Sequence, residues 1–196
     1  MKILSQIDPR VKEILAQGVF SGMEEGILEV SSDKTYSVGI GIDIKQRVVN
    51  ARVSYALENA ILAANEAALS AKTVEHSTGH SLMITYGRFT IFPKRVDYQN
   101  SDWEDEAIYH KKLIANNPTK QGELFDIRDT DDNVFVQLLF GKKKGGFFAV
   151  LRILDSSFGI YEEEELKLPT TVTLAQEEKV RTPKKLAIRS EKVSGL

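Results

Sequence analysis

The chain contains no cysteine. That absence excludes disulfide cross-links, thiolate metal sites and any cysteine nucleophile, and it fits a reducing compartment. Histidine is scarce, at three residues, which leaves little material for a catalytic triad, and the Gly-x-Ser-x-Gly elbow of serine hydrolases does not occur. Phosphate-cradling loops are missing too. Gly39-Ile40-Gly41 and Gly145-Gly146 lack the Lys-Ser/Thr that follows a strand and opens a helix in such loops. No apolar run approaches the ~18–20 residues of a membrane-spanning helix. The segment from Met1 meets a charge and Pro9 before any stretch long enough for a secretion signal. The expectation is a cytoplasmic protein with no membrane partner and no cofactor.

The apolar share, 42%, and the charged share, 28%, are those of ordinary globular chains. Residues 1–169 carry enough apolar sequence for a single domain, and a body of that size buries about 70% of the surface its unfolded chain exposes. Residues 170–196 lack a core pattern and read as a basic, disordered tail. The net charge of −2 is unevenly spread: residues 171–196 hold six basic and three acidic groups, so the body is mildly acidic. An acidic body repels phosphate backbones at long range, so attraction to nucleic acid has to be local.

Several elements can be placed from pattern. Asp8-Pro9 is a helix start, with Asp as cap and Pro in the first turn, and Gly18 is read as its stop. Residues 18–45, rich in Gly and Ser, suggest one or two short strands. Val49, Val53, Leu57, Ile61, Ala64 and Ala68 recur at helical spacing, giving a long Ala-rich helix over about 45–71. Leu82–Pro93 is β-rich, with Gly87 as either a hairpin tip or a bulge. Asp102–Ile114 has carboxylates first and lysines last, as the helix dipole prefers. Val134–Phe140 and Phe147–Leu154 form a hairpin about the loop Gly141–Gly146, and the acidic run Tyr161–Leu168 suits a sheet edge. The fold class is therefore α+β: a mainly antiparallel sheet of about five or six strands with the 45–71 helix packed on one face.

Four constellations carry possible chemistry. His76 and His80 flank a turn, and Glu106 and His110 stand four apart on a predicted helix; together they are candidate metal ligands, set against ordinary surface histidines. Asp155 followed by Glu165-Leu166-Lys167 resembles the layout of Mg²⁺-dependent nucleases of the PD-(D/E)XK type. There two carboxylates hold the metal and the lysine orients the attacking water. The resemblance spans a dozen residues and departs from the pattern, since no proline precedes Asp155. Asp126, Asp129, Asp131 and Asp132 echo a calcium loop but lack its glycine and closing glutamate, so a turn is the better reading. Finally, Arg88, Lys94 and Arg95 interleave with Tyr86, Phe89, Phe92 and Tyr98. Lys142, Lys143 and Lys144 crowd a hairpin tip, and Lys184 and Lys185 lie in the tail. Basic groups beside aromatic surfaces suit nucleic acid, whereas core aromatics and solubilising lysines are the plainer alternative. Arg152, the one charge in an apolar strand, requires a carboxylate partner if buried.

These patterns point to a small non-enzymatic binding or regulatory protein that acts through a protein or nucleic-acid partner, with self-association open. A metal-dependent nuclease or phosphodiesterase using Asp155, Glu165 and Lys167 is the alternative.

Overall fold

In the computed structural model, which describes residues 2–37, 39–76, 79–96, 108–117 and 133–168, the Asp8-Pro9 signal starts a helix as expected. The Asp8 carboxylate accepts the Arg10 N–H at 2.7 Å, and Pro9 occupies the first turn of α1, Pro9–Ser32. Gly18 does not end it. The reading of 18–45 as short strands is corrected: α1 runs on to Ser32, a 3₁₀ turn spans Lys34–Ser37, and α2 spans Ile40–Ala64.

The reason lies in three glycines four apart. A Cβ on Gly18 would stand 2.8 Å from the Leu57 Cα, on Gly22 2.5 Å from the Val53 Cα, and on Gly26 2.9 Å from the Val49 Cα. The two helices thus lie antiparallel with backbones nearly touching along Gly18/Leu57, Gly22/Val53 and Gly26/Val49. Glycine costs about 1 kcal/mol against alanine in a helix interior. Here the close approach, which any Cβ would block, offsets that cost by burying Val49, Val53 and Leu57.

The Ala-rich helix ends earlier than its pattern suggests. Asn65 takes the left-handed conformation (φ 48°) that terminates many helices, and Ala68 belongs to the connection beyond it. Leu69–His76 is β1, paired along its whole length with β2, Gly79–Tyr86. Gly87, at φ +53°, sits in the tight turn into β3, Phe89–Arg95, so it marks a hairpin tip rather than a bulge. After α3, Ile108–Ile114, the chain forms β4, Val134–Lys143, β5, Gly146–Leu154, and β6, Ile160–Glu165. The β4–β5 loop is shorter than expected: strand pairing continues to Lys143/Gly146, leaving Lys144-Gly145 as the turn, with Gly145 at φ +87°. The four aspartates between 126 and 132, the N-terminal part of the 102–114 helix and the tail beyond Leu168 lie outside the described residues.

The fold is α+β, with six strands in the order β1-β2-β3-β4-β5-β6. All junctions are antiparallel except β3–β4, which is parallel because α3 lies in the crossover between them. Both long helices lie on one face of the sheet and pack against each other, α1 touching β5 and α2 touching β1. Between these helices and the sheet lies the main core, with Leu15, Met23, Leu57, Ile84, Ile91, Val136, Leu138 and Leu151 fully buried. On the opposite face, Phe92, Ile114, Phe135 and Leu154 pack beneath α3. Among the described residues no helix is long and apolar enough to cross a membrane.

Candidate interaction surfaces

The described candidate metal ligands lie on different elements. His76 closes β1 and His80 is the second residue of β2, opposite Glu75, so they flank a hairpin turn. His110 is buried between two rings instead, 4.8 Å from Phe92 and 5.1 Å from Phe135 between centroids. Glu106 lies outside the described residues. Among those described, no group of three or more His, Asp or Glu side chains is placed to share a metal ion.

The nuclease arrangement is not assembled either. Asp155 opens the β5–β6 turn, where its carboxylate accepts the Ser157 N–H at 2.9 Å and the Gly159 N–H at 2.8 Å. Its Oδ1 closes a loop, as turn aspartates do. Glu165 lies opposite Val150, five residues back along β5 and so about 16 Å away by strand rise. There it pairs with Lys143 at 2.6 Å. Lys167 is exposed beyond the end of β6. Two carboxylates that far apart cannot share one cation.

Two buried polar groups on the α3 side of the sheet show structural work that sequence pattern left open. Arg152, 2% exposed, faces Gln137 on β4 and Glu163 on β6, and its Nε donates to the Glu163 carboxylate at 2.7 Å. The required partner is present. Asn117, just past the end of α3, inserts its side-chain amide where β4 and β5 part. Its Oδ1 accepts the Phe135 N–H at 2.8 Å, and its Nδ2 donates to the Phe135 and Leu154 carbonyls at 3.0 and 2.7 Å. It thereby replaces the next rung of the ladder, which runs from Lys143/Gly146 to Gln137/Arg152.

The basic residues divide. Arg88, in the β2–β3 turn, donates to Gln6 at 2.9 Å and lies over the Phe89 ring. Phe89 and Phe92 are core residues rather than a stacking platform. Lys94 and Arg95, at the opposite end of β3, sit beside Leu139 and Phe140 of β4, so they share one end of the sheet with Lys142, Lys143 and Lys144. Lys143 is engaged with Glu165. Lys184, Lys185 and Tyr98 lie outside the described residues.

The surface that sequence reasoning missed is the outer side of α2. Its inner side, Val49, Val53, Leu57 and Ile61, is closed against α1 and the sheet. Diametrically opposite on the helix lie Ile44, Val48, Ala51, Tyr55, Glu58 and Leu62. Tyr55 is 57% exposed and Leu62 70%. The signal was in the spacing, but the stronger inner stripe had already accounted for the helix. At the C-terminal end of this face, Glu58, Ile61, Leu62, Asn65 and Leu69 line a shallow groove of about 360 Å³ against β1.

Compared with protein-family models, with curated proteins and with solved structures, the chain matches none of them.

Proposed function

We propose that this protein is a binding module that acts by contact with another protein through the outer face of α2. One observation carries the reading: a two-stripe helix whose second apolar stripe, with Tyr55 and Leu62 more than half exposed, faces solvent. Large side chains scattered singly on a surface call for no explanation, but a contiguous set along one helix face marks an interaction site. An amphipathic groove-and-ridge contact of this kind reads its partner by the i, i+3/i+4, i+7 anchors. The test is capture from the native host with wild-type protein and with Tyr55→Glu/Leu62→Glu, each with and without nuclease treatment. A protein retained through nuclease treatment and lost in the variant supports the reading. Capture that ignores the variant defeats it.

A second reading, contact with nucleic acid, draws on the basic end of the sheet, where Lys94, Arg95, Lys142, Lys143 and Lys144 gather. It predicts binding that falls steeply with salt and weakens in Lys142→Ala/Lys144→Ala or on removal of residues 170–196. Binding that is flat in salt removes it. Against it stand the acidic body and the engagement of Lys143 by Glu165.

A further inference from the structure

The outer positions of α2, Ile44, Val48, Ala51, Tyr55, Glu58 and Leu62, follow one another at steps of four, three, four, three and four residues. That alternation is the a/d repeat of a helix that pairs with another helix. We propose that this seam pairs with the same seam of a second copy of the chain, antiparallel, about a two-fold axis level with Val53. The proposal rests on the interaction reading above and names its partner.

Three observations favour a second copy. The first is fit: with the axis at Val53, Ile44 falls opposite Leu62 of the second copy and Ala51 opposite its Tyr55, an apolar pair and a small-beside-large pair. Val48 falls opposite Glu58. The second is charge. Lys45, Arg47 and Arg52 lie on the N-terminal half of α2, and Glu58 and Glu66 on or just beyond its C-terminal half. Antiparallel pairing brings Glu58 beside Lys45 and Arg47 of the other copy, so the one charged position of the seam gains partners, while Arg52 near the axis is held by Glu29 of its own α1. Parallel pairing would stack like charges instead, which the flanks of helix pairs avoid. The third is size. From Ile44 to Leu62 the seam is about 27 Å long, and its exposed apolar groups present on the order of 400 Å² per copy. Twice that, plus the charged flanks, reaches the lower end of specific interfaces. The dimer is accordingly a weak one, with a dissociation constant in the micromolar range (roughly 1–100 μM).

The absence of cysteine makes the test clean, since any introduced thiol is unique. The full-length protein is followed by sedimentation velocity from micromolar to several hundred micromolar. A concentration-dependent shift from monomer to dimer is expected. Tyr55→Glu/Leu62→Glu should remain monomeric throughout, with an unchanged circular dichroism spectrum and melting profile because both side chains are exposed. Under mild oxidation Ile44→Cys/Leu62→Cys should give covalent dimers, since within one chain the two positions are a full seam apart. Ile44→Cys alone should not. A wild-type chain that stays monomeric, a dimer that survives Tyr55→Glu/Leu62→Glu, or efficient cross-linking of Ile44→Cys alone each overturns the proposal. If the chain is monomeric yet the glutamate variant still loses a nuclease-resistant partner, self-pairing fails and the binding reading stands. If that capture is also unaffected, both fail.

Discussion

Replacing Gly22 with alanine sets two effects of opposite sign against each other, and the structure decides between them. Alanine is the better helix former by about 1 kcal/mol, so at an open position in α1 the change should stabilise. At Gly22 the added Cβ would lie 2.5 Å from the Val53 Cα, 2.8 Å from the Arg52 carbonyl oxygen and 2.9 Å from the Val53 N. All three are backbone atoms of a packed helix, so no side chain can swing aside. Restoring van der Waals contact requires the helices to separate by about 1 Å, which loosens Val53 and Leu57, both fully buried in the main core. Overpacking of this kind costs typically about 1–3 kcal/mol, occasionally more. After subtracting the propensity gain, Gly22→Ala should destabilise by up to roughly 2 kcal/mol. Urea unfolding followed by circular dichroism measures it: the midpoint should fall with an unchanged slope. Asn50→Ala, on an exposed position of α2, provides the control for propensity alone. If Gly22→Ala instead raises stability, the helices do not approach as described and the account of why α1 tolerates three glycines is wrong.

Asn117→Ala should cost on the order of 2–4 kcal/mol, because it leaves the Phe135 N–H and two carbonyls at the β4–β5 fork without the amide that serves them; hydrogen exchange should show the Phe135 amide losing protection first. Glu163→Ala should destabilise by roughly 2–4 kcal/mol, less than for a fully buried pair since the Glu163 side chain keeps 29% exposure, while Arg152→Met/Glu163→Leu should lie nearer wild type. The Asp33 carboxyl should titrate below the usual aspartate range, held down by hydrogen bonds from the Thr35 side chain and backbone N–H. Thr35→Ala should raise it partway, read by carbon-detected NMR. A folded-state pKa below the unfolded value means that this contribution to stability is present near neutral pH and fades as pH falls through the acid range.

The strands were legible where their pattern was local. β4, β5 and the acidic β6 declared themselves by composition, and the buried Arg152 announced its need for a carboxylate before Glu163 was located. What misled was glycine. Gly18, Gly22 and Gly26 carry the same letters whether they break a helix or admit another beside it, and only the position of Val49, Val53 and Leu57 across the gap distinguishes the two. The small-residue run Ala67–Ala68 hid the end of α2 for a related reason: helix propensity continues there, but Asn65 turns the chain. The exposed stripe of α2 was hidden differently. Exposure is a property of the finished packing, and sequence alone could not say which of the two apolar stripes on α2 the rest of the molecule would cover. The Asp155–Lys167 pattern failed for want of register, which sets Glu165 five strand positions from Asp155.

The single parallel junction also bears on how the molecule assembles. β1 to β3 form one run of adjacent hairpins and β4 to β6 another, so within each run partners are near neighbours along the chain and can meet quickly. Joining the runs means pairing Phe89 with Val134 and Arg95 with Phe140 across the whole α3 crossover, a closure whose entropic cost precedes its reward. Two half-sheets that form early and dock late would briefly expose β3 and β4, whose Val134 to Phe140 stretch is mostly apolar and buried on both faces in the finished sheet. Delay in that last step is dangerous, because each exposed strand can equally well pair with its counterpart in another molecule.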